Sequence, residues 1–98
     1  MTPEGRVKAK VNRVLDPYIK AGDLYKFMPV QNGFGKKGLD YYCCFRGKFF
    51  AIETKAPGKE PTALQWACIR ELKRAGADVF IVDDDESLLD LSGFLGGY

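Results

Sequence analysis

Asp40-Tyr41-Tyr42-Cys43-Cys44-Phe45-Arg46-Gly47-Lys48-Phe49-Phe50-Ala51-Ile52-Glu53-Thr54-Lys55 holds two short runs of aromatic and apolar residues on either side of Arg46-Gly47. Such runs predict two antiparallel strands, Asp40 to Phe45 and Phe49 to Lys55, joined by a tight turn. If Arg46 and Gly47 alone form the loop, the register is fixed along the hairpin, and Asp40 stands directly opposite Glu53. Like charges facing each other across a ladder are destabilising. A chain that keeps them there needs something to neutralise them, and a divalent cation is the simplest candidate. Side chains alternate along a strand, so Phe49, Ala51, Glu53 and Lys55 share one face.

Outward from the hairpin, the N-terminal segment reads as a helix. Thr2 can cap it with Pro3 at its first position, and Val7, Val11, Val14 and Leu15 recur at helical spacing. The helix is expected from Pro3 to Leu15, broken or restarted at Asp16-Pro17, with Ala21-Gly22-Asp23 ending the region. Leu24 to Gln31 reads as a strand that Pro29 confines to an edge or to irregular structure. Asn32 to Gly38 is a glycine-rich loop carrying Lys36 and Lys37.

Beyond the hairpin, Ala56-Pro57-Gly58-Lys59-Glu60-Pro61 is a connector. Thr62 then caps a helix whose Leu64, Cys68, Leu72 and Ala75 are the expected buried stripe, ended by Gly76. Asp78 to Val82 reads as a buried strand of the parallel kind, and Asp84 to Leu95 as a last amphipathic helix before Gly96-Gly97. The order helix, three strands, helix, strand, helix predicts a single α/β domain over residues 1–98, with a mixed sheet flanked by helices.

The 98 residues are 46% apolar and 29% charged, the balance of a globular protein. No apolar run approaches a membrane span, and the charged start lacks a signal-peptide core, so a cytoplasmic location is expected. The three cysteines, with Cys43 and Cys44 adjacent, have neither an even disulfide count nor zinc spacing. With no histidine in the chain, imidazole-based catalysis and imidazole metal ligation are excluded. A metal must therefore be held by oxygen, which favours magnesium, manganese or calcium. The net charge of +2 is small, but Arg6, Lys8, Lys10 and Arg13, then Lys36 and Lys37, then Lys55, Lys59, Arg70, Lys73 and Arg74 allow an electropositive face.

Oxygen-held magnesium beside a lysine suits phosphodiester hydrolysis, which needs an activated water and relief of phosphoryl charge. Asp40 and Glu53 would hold the ion, with the Thr54 carbonyl a candidate extra ligand. Lys55, about 6.5 Å beyond Glu53 on the same face, is placed to orient the water. Asp83, Asp84, Asp85 and Glu86, between a strand and a helix start, suit capping better than metal binding. Tyr41, Tyr42, Phe45, Phe49 and Phe50 alternate with strand period and read as hairpin packing.

Gly38-Leu39-Asp40, Phe49 through Lys55, Pro61-Thr62-Ala63-Leu64-Gln65 and Gly76 together resemble the VRR-NUC branch of the PD-(D/E)xK nuclease superfamily. The resemblance covers nearly the whole chain. Leu39 departs from the proline of the superfamily motif. It implies a restriction-endonuclease-like αβββαβ core and a nuclease dependent on Mg²⁺ or Mn²⁺, with Asp40, Glu53 and Lys55 matching the motif. It also implies an additional metal or metal-water role for Glu4, which otherwise reads as a first-turn acid complementing the helix dipole. Gln65 has two readings: Thr62-x-x-Gln65 is a capping box, and the resemblance adds an active-site role that would compete for the same side chain.

Small standalone members of that family occur in bacteria and bacteriophages, act on branched DNA including four-way junctions, and tend to be homodimers. The expectation is a structure-specific DNA endonuclease in which Lys36, Lys37 and Lys59 contact phosphates. The competing expectation is a nucleic-acid-binding or assembly module of the same fold that has lost catalysis, and a weaker one is a regulatory metal-binding domain.

Overall fold

The structure, a computed structural model, describes residues 1–30 and 38–96. Its elements run α1 (Pro3–Lys20), β1 (Leu24–Phe27), β2 (Tyr41–Phe45), β3 (Lys48–Thr54), α2 (Ala63–Arg74), β4 (Asp78–Val82) and α3 (Asp85–Gly96). The sheet order is β1-β2-β3-β4. β1, β2 and β3 pair antiparallel, and β3 and β4 pair parallel. This is the expected α/β arrangement with a mixed sheet flanked by helices.

The hairpin has the loop its sequence demands. Arg46 at φ 50° and Gly47 at φ 84° both lie at positive φ, as in the primed two-residue turn whose twist matches the flanking strands. The ladder runs from Phe45 opposite Lys48 to Tyr41 opposite Ile52. One further step places Asp40 against Glu53. Alternation sends Tyr41, Cys43, Phe45, Phe50 and Ile52 into the core beneath α1 and α3, where Val7, Val11, Leu15, Leu91 and Leu95 meet them. The opposite face carries Ala51, packed with Leu39 and with Cys68 and Ile69 of α2.

Three expectations need correction. α1 does not break at Asp16-Pro17 but continues to Lys20 with Pro17 inside it. An interior proline costs about 3 kcal/mol, yet the turn beyond it keeps burial that offsets the loss. Tyr18 and Ile19 pack against the main core, and the Tyr18 ring meets Phe45 edge-on at 5.5 Å. β4 is the second edge of the sheet, not a fully buried strand: only Val82 of its residues is buried. β1 is the edge strand expected, but it stops at Phe27, short of Pro29.

The third correction concerns the phase of α2. Leu64 is 67% exposed and Ala75 is exposed as well, so the expected stripe is rotated. The inward residues are Gln65, Cys68, Ile69 and Leu72, spaced i, i+3, i+4, i+7. The helix closes as expected at Gly76, whose φ is 101°. Ala77 N–H donates to the Leu72 carbonyl and Gly76 N–H to that of Lys73, the paired bonds of a Schellman end. Among the described residues, no helix is long and apolar enough to cross a membrane.

The rotated stripe predicts unequal costs for two similar truncations. Ile69→Ala should lower unfolding free energy by about 3 kcal/mol, whereas Leu64→Ala should change it by less than about 0.5 kcal/mol. Urea titration of the two variants measures both.

Candidate metal and catalytic site

The end of the hairpin farthest from its turn brings Asp40, Glu53, Thr54 and Lys55 together. Asp40 Oδ2 accepts the Thr54 backbone N–H at 3.0 Å and the Thr54 hydroxyl at 2.6 Å. The Asp40 backbone N–H in turn donates to Glu53 Oε1 at 3.2 Å. The facing acids are therefore locked by each other's strands, which holds their carboxylates in one place despite their repulsion. Thr54 is fully buried and reaches Asp40 with its hydroxyl, a role its sequence position did not suggest.

Glu53 is only 2% exposed. Its Oε2 accepts Gln65 Nε2–H at 2.6 Å and lies 3.5 Å from Lys55 Nζ. Burial, and after it the charge of Asp40, push the Glu53 carboxyl up to about 7, against the pull of Lys55 and the hydrogen bonds it accepts. Lys55 follows Glu53 on the same face, as alternation predicted. Among the described residues, no buried side-chain nitrogen or oxygen lacks a hydrogen-bond partner.

Gln65 closes the capping box and reaches Glu53 with the same side chain. Its Oε1 accepts the Thr62 backbone N–H at 2.8 Å, and Thr62 Oγ1 accepts the Gln65 N–H at 3.2 Å, closing the capping box. The amide nitrogen is left to donate to Glu53. A glutamine has an acceptor and a donor at opposite corners of one planar group, so the expected competition does not arise. The carboxylate at one end and the backbone N–H at the other also fix which corner is which.

Gly38 and Leu39 position Asp40 from the other side. Leu39 N–H donates to the Tyr42 hydroxyl at 3.0 Å, and a Cβ on Gly38 would stand 2.7 Å from that hydroxyl oxygen. The glycine two residues before Asp40 thus has a steric reason. Lys36 and Lys37 lie outside the described residues. Lys59 is exposed on the connector, in a turn where its N–H meets the Ala56 carbonyl at 3.0 Å.

Glu4 approaches the pair through Lys8, which the sequence placed only in a basic group on the first helix. Lys8 Nζ lies 3.6 Å from Glu4 Oε2 and 3.9 Å from Asp40 Oδ1. The available signal was the i, i+4 spacing of Glu4 and Lys8 on a helix. The acidic run after β4 caps α3, as expected: Asp84 Oδ1 accepts the Ser87 N–H at 2.8 Å, and Asp85 pairs with Lys10 at 2.8 Å. A cleft of about 260 Å³, lined by Pro3, Arg6, Val7, Pro57, Val82 and Leu88 among others, contains none of Asp40, Glu53, Lys55 or Gln65.

Among the described residues, no three carboxylate, thiol or imidazole side chains converge as a ready-made metal cage. What converges is a carboxylate pair. That donor set suits magnesium, which keeps several waters and is commonly bound through one or two carboxylates. Of the pair's four oxygens, one accepts no hydrogen bond among the described residues. Asp40 Oδ2 is engaged by Thr54, while Oδ1 faces only the Lys8 ammonium among the described residues.

No protein-family model matches this sequence, and no curated protein matches it. Among solved structures, the chain is similar to one titled "VRR_NUC domain", with a TM-score of 0.72 and 22% sequence identity over 93% of this chain and 95% of that one. The fold of this chain is that of a VRR-NUC domain.

The raised Glu53 pKa predicts how the metal-free protein responds to pH. Its carboxyl titrates at about 4.5 in the unfolded chain and at about 7 in the fold, so the folded state binds the extra proton. Its contribution is complete below pH 4.5 and is lost as pH rises through 7, a decline of about 3 kcal/mol. Urea unfolding in EDTA across that range should show this slope in wild type and not in Glu53→Gln.

Proposed function

We propose that the protein is a divalent-metal-dependent nuclease that hydrolyses phosphodiester bonds in DNA. One observation carries the reading: Asp40, buried Glu53, Lys55 and Gln65 meet in one hydrogen-bonded constellation on the fold of a VRR-NUC domain. Binding to DNA alone would call for lysines, and paired carboxylates repel phosphate.

In this reading Asp40, Glu53 and the Thr54 carbonyl would hold Mg²⁺ or Mn²⁺, with Glu4 as a further ligand of the ion or of its water. When bound, the ion would relieve charge on the phosphoryl oxygens and lower the pKa of a water so that it is available as hydroxide. Lys55, held 3.5 Å from Glu53 with its side chain 14% exposed, directs its ammonium at the attacking water and at charge developing on the phosphate. Gln65 fixes the Glu53 carboxylate, and the Thr54 hydroxyl fixes that of Asp40. Lys36, Lys37 and Lys59 contact the DNA backbone. Branched DNA, four-way junctions included, is the proposed substrate, and the cytoplasm of a bacterium or of a phage-infected cell the proposed setting.

An uncovered apolar sheet face supports the proposed homodimer. In register, Tyr25 pairs with Cys44 and Cys44 with Phe49, while Phe27 pairs with Tyr42 and Tyr42 with Ala51, so these residues share the face that α2 covers. α2 packs over the β3–β4 side through Ala51, Val79 and Ile81. The other half of that face leaves Tyr25, Phe27 and Phe49 exposed by 68, 52 and 47%, with Met28 and Val30 following at 41 and 86%. These side chains present several hundred Å², on the order of the ~800 Å² each partner buries in a standard interface. None is charged, which suits a second copy better than a polyanion, and β1 beside them is an edge strand of the described sheet.

Purified protein with Mg²⁺ or Mn²⁺ should cut a four-way junction, and Asp40→Asn or Lys55→Ala should reduce cutting by at least about a hundredfold while sparing DNA binding. A panel of single-stranded, duplex, flap and four-way substrates checks this, and no cleavage of any of them with either ion would sink the proposal in favour of a binding module. In equilibrium sedimentation, wild type should weigh twice the 11.0 kDa chain, and a Tyr25→Lys, Phe49→Lys variant should weigh one chain. A double variant that stays dimeric would place the interface elsewhere.

A further inference from the structure

Among the described residues two lysines attend the carboxylates, and they are placed differently. Lys55 is 14% exposed and sits against Glu53, whose oxygens already accept Gln65 and the Asp40 N–H. Lys8 is 36% exposed and stands between Glu4 Oε2 at 3.6 Å and Asp40 Oδ1 at 3.9 Å. Neither of its contacts is at hydrogen-bond length. Lys8 therefore holds these two acids by charge alone, from the solvent side.

Its position is built into the fold. Val7 and Val11, on the turns carrying Lys8, are buried in the main core. The Tyr41 hydroxyl, on the residue after Asp40, donates to the Lys8 carbonyl at 3.4 Å. The helix backbone is thus tied to the strand that bears Asp40, while the Lys8 ammonium makes no hydrogen bond among the described residues. The one Asp40 oxygen that no hydrogen-bond donor occupies among the described residues, Oδ1, is the one that Lys8 faces.

We propose that Lys8 is the displaceable counter-ion of the metal site: its ammonium bridges Glu4 and Asp40 in the metal-free protein and leaves when a divalent ion takes those oxygens. The inference rests on the metal-binding reading above and adds a competition that reading does not contain. A cation held beside Asp40 Oδ1 lowers the affinity for any second cation there, by direct repulsion and because its own attraction must first be given up. The metal-free acids are kept in place, and the site fills only when the ion is abundant enough to displace the ammonium.

Calorimetric titration of Mn²⁺ into DNA-free protein tests this without reference to activity. Lys8→Met should bind Mn²⁺ about three- to tenfold more tightly than wild type, while Lys8→Arg, which keeps the charge, should bind within about twofold of wild type. Lys48→Met, which removes an exposed charge at the hairpin turn, should leave the affinity unchanged. Circular dichroism before each titration confirms that the variants are folded. Unchanged or weaker Mn²⁺ binding by Lys8→Met, or equal tightening by Lys48→Met, overturns the proposal. Wild type that binds no Mn²⁺ overturns it together with the metal reading, whereas wild type that binds while Glu53→Gln does not keeps the metal reading even if Lys8 proves indifferent.

Discussion

A two-residue turn with both residues at positive φ, Arg46 at 50° and Gly47 at 84°, sets the register on which the molecule is built. Were the loop one residue longer, every side chain of one strand would change faces. Tyr41, Cys43 and Phe45 would leave the main core, and Asp40 would lose its place opposite Glu53. One local conformation therefore decides both how the sheet packs and where its acids meet. Glycine at the second loop position makes that conformation accessible.

The meeting of two carboxylates is costly, and the surrounding groups show how the cost is contained. Asp40 and Glu53 each accept a hydrogen bond from the other's strand, at 3.2 Å from Asp40 N–H and 3.0 Å from Thr54 N–H. Lysines flank the pair on two sides, Lys55 from within and Lys8 from the solvent. What remains shows in the Glu53 carboxyl, which burial and its neighbour's charge raise to about 7. A buried acid that resists ionisation beside a second acid gains from any cation that reaches both. On the proposed metal reading, the same arrangement would favour an ion that reaches both acids.

α2 links the fold to the site more tightly than its amphipathic pattern suggested. Phasing the helix on Leu64 gives a plausible apolar stripe, but it turns Gln65 aside. The phase adopted buries Ile69 and exposes Leu64, and it brings the Gln65 amide to Glu53. Apolar spacing alone does not separate the two, because Cys68 and Leu72 belong to both stripes. Contacts with Ala51, Val79 and Ile81 choose between them. Pro17 is similar: its local preference ends a helix, and the burial of Tyr18 and Ile19 carries the helix past it.

By itself the sequence determined the order of elements, the hairpin register, the Thr2, Thr62 and Gly76 helix ends and the facing of Asp40 with Glu53, because each follows from short-range backbone geometry or strict alternation. Tertiary structure alone decided the phase of α2, the passage of α1 through Pro17, the edge position of β4 and the bridge that Lys8 makes between Glu4 and Asp40. It also decided that one glutamine caps a helix and holds Glu53 together. These depend on which distant surfaces compete for a side chain, and such competition is settled only when the sheet and its helices are packed.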